Sequence, residues 1–327
     1  MAAASPLLSL PTSPVDRARV ESALLDSVRT SDPYMTELAG HLLVAGGKRL
    51  RPIMAVVAGL TDGRDVVADE VVLGGVACEL VHVGSLYHDD VMDEAETRRG
   101  VETVNAKWGN LQAIVAGDFL LSRASEIAAS LGTEVAGLLA NTIGRLCFGQ
   151  IGEVRTTYQV ARTEQQYLDS IEGKTASLYG TSARIGAIVA GHPRDWIDAL
   201  TVFGDAFGMV FQIVDDVLDL IATDAELGKP AGHDMEEGVY TLPVLRMLAD
   251  GGPAADELGD LLGRPLAPEE RDKALAIVRS GGGIDEAIAV AQAYGAAAVA
   301  ACSILPDNLA TEALREAPAA LLATLHR

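Results

Sequence analysis

The chain has 327 residues and sets 25 lysines and arginines against 46 aspartates and glutamates, a formal charge of −21. That field argues against nucleic acid or an anionic membrane surface as a main partner, so any anionic ligand has to be met by metal ions and a local basic patch. Hydrophobic residues make up 49% but aromatics only 4%, so alanine, leucine, valine and glycine supply the apolar mass, as closely packed helices allow.

The N-terminal MAAASPLLSLPTSP lacks the basic region and long apolar run of a signal peptide, and residues 1–15 read as a loose tail. Helical periodicity then runs through most of the chain. Residues 20–28 are amphipathic, 34–45 form a helix ending at Gly46-Gly47, and 52–60 start another at Pro52. Residues 69–94 predict a long apolar helix that carries Asp89-Asp90-Val91-Met92-Asp93 near its C-terminal end. Further helices are predicted over 110–131, 134–154, 164–190, 195–221 and 239–249, with breaks at Gly63, Gly100, 191–193 and 228–238. Strand alternation is scarce and no Pro/Ser-rich linker divides the middle. The expected fold is therefore all-α, a single domain over 1–327, with interhelical turns at 251–253 and 281–283. Residues 287–305 carry no charge, but alanine, Gln292, Tyr294 and Ser303 make membrane transfer weak; a buried soluble helix is expected, with at most peripheral membrane contact. Cys78, Cys147 and Cys302 have no metal or redox spacing and read as reduced, mostly buried thiols of a cytoplasmic protein.

Asp215-Asp216-Val217-Leu218-Asp219 repeats the acid spacing of the 89–93 cluster. On a helix, residues four apart share a face about 5.4 Å apart along the axis. Asp89 thus pairs with Asp93 and Asp215 with Asp219, while Asp90 and Asp216 point roughly 100° away. Like charges at this spacing weaken a helix. Two solvated acidic faces are the plain alternative, but the shared spacing and the apolar flanks (84–87 and 210–214) favour a compensating cation. All-carboxylate ligation suits Mg2+ or Mn2+, and Mg2+ held by one or two carboxylates usually also takes substrate phosphates.

Basic residues recur around these clusters: Lys48, Arg49 and Arg51 between a glycine pair and Pro52, Arg98-Arg99-Gly100 past the first cluster, Gly173-Lys174-Thr175, and Gly228-Lys229-Pro230. Each alone is ordinary, a basic loop or a helix-dipole cap. Taken together, Lys48, Arg51, Arg98, Arg99, Lys174 and Lys229, with two diphosphates and about three Mg2+, would balance the aspartates of the two clusters. His82 lies two turns before Asp89 on the same face, and Gln212 shares the face of Asp215; Phe203, Phe207 and Phe211 read as core.

In this order GGKRLRP, LYHDDVMDEAETRRG, AGDFLLSRA, EGKTASL, FQIVDDVLD and GKPAGHD resemble the trans-isoprenyl diphosphate synthases, over about 34–245. The resemblance implies an isoprenoid-synthase-type all-α bundle around a central cavity, usually a homodimer. It implies Mg2+ on Asp89, Asp93, Asp215 and Asp219, with Asp90 and Asp216 in support. Arg98, Lys174, Thr175, Gln212 and Lys229 would hold the allylic substrate, and Lys48, Arg51, His82 and Arg99 isopentenyl diphosphate. The implied chemistry is ionisation, condensation and elimination, the released diphosphate taking the proton. One departure stands out: Val239 occupies a position where the family commonly has lysine. Product length should depend on what blocks a tunnel beneath the first cluster. Gly84, Ser85, Val81 and Cys78 are small or modest there, so a medium or long polyprenyl chain is expected, with geranylgeranyl-length products, a class I terpene cyclase and a non-catalytic subunit as the alternatives.

Overall fold

The computed structural model describes residues 5–223 and 230–326. Lys229 lies outside the described residues. Helices α1 (Ser13–Ser27), α2 (Pro33–Val44), α3 (Leu50–Gly59) and α4 (Asp69–Met92) lead into a two-residue hairpin, Thr97–Arg98 paired with Val101–Glu102. After it come α5 (Val104–Trp108), α6 (Asn110–Ser130), α7 (Thr133–Arg155), α8 (Glu164–Ile171), a π-helical turn (Glu172–Ala176), α9 (Ser177–Val189) and α10 (Arg194–Ile221). The C-terminal part adds α11 (His233–Glu236), α12 (Leu242–Asp250), α13 (Gly252–Leu261), α14 (Pro268–Ser280), α15 (Gly283–Ala301) and α16 (Leu309–Leu322).

Local signals account for several boundaries. Pro33 opens α2 while the Asp32 side chain accepts from the Tyr34 amide. Thr163 and Gln166 form a reciprocal capping box at α8. The all-α expectation holds, with the small hairpin as its one addition among the described residues.

Helix α4 lies against α3, α6 and α9, and α10 against α9 and α15. The N-terminal half of α10 puts Phe203 and Phe207 into one apolar cluster with α3, α4 and α9; its C-terminal half puts Val210, Ile213 and Val217 into another with α12, α14 and α15. Phe203 and Phe207 stack at 6.0 Å, as core residues. At the α4–α6 crossing, a side chain on Gly84 would meet the Gly117 carbonyl oxygen at 3.1 Å.

Three expectations change. Residues 5–15 are not a loose tail, because Leu7 is fully buried and Pro14 already sits in the first turn of α1. The apolar stretch 287–305 is buried on one face only. Ala287, Ala291, Gly295 and Ala298 pack inward, and the opposite face from Gln292 to Val299 is exposed. By length and composition α4, α10 and the segment Gly283–Ile304 could each cross a membrane; the first two are mostly buried within the protein, the third is not. Cys78 and Cys302 are buried as expected, but Cys147 is exposed.

Candidate active site

The first acidic cluster closes α4. Asp93 caps the helix and is exposed, Asp89 is half-buried, and Asp90 turns the other way, 1% exposed. Arg98 Nε donates to Asp90 Oδ1, and Asn105 Nδ2 donates to the Asp90 carbonyl at 3.1 Å. Arg98 reaches back because the hairpin turns on Arg99 (φ 54°) and Gly100 (φ 76°), two left-handed residues as a type I′ turn requires. The same turn sends Arg99 the other way, where its Nη1 donates to the carbonyls of Leu42 (2.9 Å) and Gly46. Burial pushes the Asp89 carboxyl up, against the pull of Lys174 and Arg98. Asp93 is pushed up to about 6, first by desolvation in the cleft and then by the Asp89 charge.

Lys174 and Thr175 come from the π-helical turn that interrupts α8–α9. Such turns cost regular hydrogen bonding and often mark functional sites. The turn is held by a glycine crossing: a side chain on Gly149 of α7 would meet the Ser170 carbonyl at 2.6 Å and Gly173 C at 3.0 Å, and one on Gly173 would meet the Arg145 carbonyl at 2.7 Å. The close approach lets Glu153, one turn beyond Gly149, accept from Lys174 Nζ at 2.7 Å. Burial opposes the Lys174 ammonium, but Glu153, Asp89 and Asp93 more than offset it and hold its pKa above the usual lysine value. Glu153 was not anticipated from sequence; the available signal was an acid on the inward face of α7, in line with Gly149.

Thr175 leads to the second cluster. Its hydroxyl donates to Gln212 Oε1 (2.8 Å), Gln212 Nε2 donates to Asp216 Oδ1 (2.8 Å), and the buried Tyr167 hydroxyl donates to Asp216 Oδ2 (2.6 Å). Burial, followed by the Asp234 charge, holds Asp216 well above the usual carboxylate range. Asp216 is therefore a buried acid held by partners of its own, and Tyr167 is a partner that sequence reasoning missed. Asp215 is exposed. Asp219, although four residues on, is 4% exposed; its carboxylate accepts from the Asp234 amide at 3.4 Å and its carbonyl from the Gly232 amide at 2.8 Å. The pair thus shares a helical face but not an environment, because the 231–234 segment covers only its far end.

The second group of cations gathers around His82. Arg51 lies over the Tyr179 ring at 4.6 Å, and burial followed by Arg51, Arg99, Arg98 and Arg49 pushes the His82 imidazole well below its ordinary value, leaving it neutral. Lys48 is exposed at the loop tip. Val239 brings no cation to its segment; its amide donates to the Asp234 carbonyl at 2.8 Å.

The residues expected to set product length separate. Gly84 lies at the α4–α6 crossing, where a side chain would meet the Gly117 carbonyl, and Val81 and Cys78 are fully buried. Ser85, half-buried on the Asp89 face, is the position of the set that points along the cluster. A cavity of about 650 Å³ lined by Arg145, Phe148, Gly152 and Asp169 lies on the outer side of the glycine crossing and includes no aspartate of either cluster.

Among the described residues, no three histidine, cysteine, aspartate or glutamate side chains converge on one metal position. Carboxylates paired one turn apart fit instead a hard divalent ion that completes its shell with water and ligand oxygens.

The polyprenyl synthetase profile matches residues 32–278. Nonaprenyl diphosphate synthase of Mycobacterium tuberculosis is 39% identical over 291 residues, covering 89% of this chain and 87% of that protein. A decaprenyl diphosphate synthase from Rhodobacter capsulatus superposes with a TM-score of 0.90 at 30% identity, covering 98% of this chain and 99% of the other. A polyprenyl synthase from Caulobacter crescentus, solved with calcium and isoprenyl diphosphate, gives 0.91 at 31% identity and 98% coverage of both chains.

Proposed function

The chain belongs to the polyprenyl synthetase family, and from that premise we propose that it condenses isopentenyl diphosphate head to tail with an allylic diphosphate to give a medium- or long-chain polyprenyl diphosphate of the kind used for quinone side chains. The observation that carries this reading is the π-helical turn between the two acidic clusters. The Lys174 ammonium feels the charges of Asp89 and Asp93, and Thr175 is bonded through Gln212 to Asp216. One ligand spanning that turn would meet both clusters.

In this reading Asp89, Asp93, Asp215 and Asp219 hold divalent ions, about three Mg2+ or Mn2+, on an allylic diphosphate. When bound, the ions supply the charge stabilisation that a leaving diphosphate needs. Lys174, Thr175 and Gln212 orient that diphosphate, with Arg98 closing on it from Asp90. Asp90 and Asp216 are supporting acids whose own partners fix the helix ends. Lys48, Arg51, Arg99 and His82 hold isopentenyl diphosphate, and a neutral His82 donates a hydrogen bond without adding charge. Glu153 keeps Lys174 extended across the cleft before substrate arrives. Lys229 belongs to the same set by motif. The exposed apolar residues Leu111, Ile114 and Val115 of α6 with Phe148, Ile151 and Val154 of α7 support a homodimer through this face. A cytoplasmic location fits the reading.

The test is incubation of purified protein with Mg2+, isopentenyl diphosphate and farnesyl or geranylgeranyl diphosphate, with products sized by chromatography. Chains beyond geranylgeranyl length are expected, and a chelator should abolish them. Failure to incorporate isopentenyl units with any allylic primer refutes the reading; a cyclic hydrocarbon without incorporation points to a cyclase.

A further inference from the structure

A buried charge network under the cationic loop has no part in the chemistry above. Arg49 is 2% exposed and sits at φ 53°, a left-handed conformation unusual for a residue with a side chain. Its Nε and Nη2 donate to the two carboxylate oxygens of Glu21 on α1 at 2.9 and 3.2 Å. Its Nη1 donates to Glu79 Oε1 on α4 at 3.1 Å, and Nη2 also donates to the Leu43 carbonyl at the end of α2 at 2.7 Å. One guanidinium therefore ties the loop to three helices. Gly47 is laid over it so closely that a side chain there would meet Arg49 Nη1 at 3.2 Å and Arg99 Cζ at 3.3 Å. Glu79 is itself 2% exposed, on the helix that also carries His82. A strained backbone of this kind persists only where its surroundings over-determine it.

We propose that Glu79, assisted by Glu21, is a positioning residue for the isopentenyl diphosphate site: by anchoring Arg49 it fixes the left-handed turn that presents Lys48 on one side and Arg51 on the other. This rests on the assignment of Lys48 and Arg51 made above. Position and charge predict opposite signs. Glu79 is a buried carboxylate bonded to Arg49, and its charge also acts on Arg99, so if only its charge mattered, removing it would leave a more positive site and tighter diphosphate binding. If it holds the turn, removing it loosens the loop and weakens binding.

The experiment is steady-state kinetics of Glu79→Gln and Glu21→Gln, with melting curves for each. For Glu79→Gln the KM for isopentenyl diphosphate should rise about tenfold, the scale of one charge-assisted hydrogen bond, with kcat and the allylic KM within about twofold of wild type. Glu21→Gln should move the same constant in the same direction by less, because Glu21 is partly exposed; it also serves as the measurement if Glu79→Gln does not fold. An isopentenyl KM that is unchanged or lower in the folded variants overturns the proposal, as does an equal rise in both KM values. Absence of incorporation by the wild-type protein instead overturns the assigned function and not the anchoring.

Discussion

Replacing Gly149 by alanine puts a methyl group where α7 crosses the π-helical turn. The new carbon would stand 2.6 Å from the Ser170 carbonyl oxygen, against an ordinary contact of 3.4 Å or more. Backbone lies on both sides of the crossing, so no flexible side chain can give way, and because the Lys174 amide nitrogen is closer still, α7 must move off by about 1 Å. Overpacking of this kind costs about 1–3 kcal/mol, and in a chain of this length lowers the melting temperature by roughly 1–2 °C per kcal/mol. The larger effect should be catalytic. Glu153 and Lys174 ride on the two elements being separated, and a displacement near 1 Å in a positioning contact costs on the order of 100-fold in rate. The assay is the initial rate of isopentenyl incorporation at saturating substrates, beside a melting curve. Gly40→Ala in α2 is the control: nothing lies within 4 Å of its new carbon, so it should raise stability by roughly 0.5–1 kcal/mol and leave the rate alone. A folded Gly149→Ala protein within threefold of the wild-type rate would refute the idea that the crossing positions Lys174.

Ser85→Phe should shorten the product by at least one isoprene unit, read by chromatography, whereas Gly84→Phe should chiefly lower the melting temperature, since that side chain would strike the Gly117 carbonyl. An unchanged product distribution in folded Ser85→Phe removes Ser85 from the tunnel wall. Asp93, raised to about 6, binds a proton that competes with metal, so Mn2+ affinity measured by calorimetry should fall as pH drops from 7 to 5. The sign for stability is the reverse. A carboxyl whose folded pKa exceeds its unfolded value destabilises the metal-free protein at neutral pH, and that cost is relieved as pH falls through about 6. Asp93→Asn should therefore flatten both pH profiles, and profiles that stay as steep as in wild type count against the assignment. Tyr167→Phe leaves Asp216 Oδ2 without its donor and should cost about 1–3 kcal/mol by chemical denaturation; a loss below 0.5 kcal/mol would show that water replaces the hydroxyl.

Much of the molecule is legible without coordinates. Helix period, proline and glycine punctuation and the cap at Asp32 are local, set by residues within a turn or two, and the predicted segments from 34 to 221 match α2–α4, α6, α7 and α10 to within a few residues; 164–190 proves to be α8, the π-helical turn and α9, and the short α5 was not anticipated. The same locality separates the roles inside each acidic cluster: the 3.6-residue repeat alone turns Asp90 and Asp216 away from their neighbours, and both prove buried on partners of their own. The order of the basic and acidic motifs carried the family likeness.

What tertiary structure decided is which face is covered, and by what. Nothing near Asp219 in sequence says that residues 231–234 will shield it while Asp215 stays open. Gly84 reads in sequence as empty space, yet a side chain there would meet the Gly117 carbonyl, because the room next to a glycine depends on a helix more than thirty residues away. Arg49 and Arg51 are alike as letters, yet one is an anchor sealed between Glu21 and Glu79 and the other lies over Tyr179. Residues 287–305 have the composition of a buried helix, but the face from Gln292 to Val299 is left exposed among the described residues. Helical periodicity is set within a few residues of backbone; burial and ion pairing are set by neighbours that only the folded chain brings together.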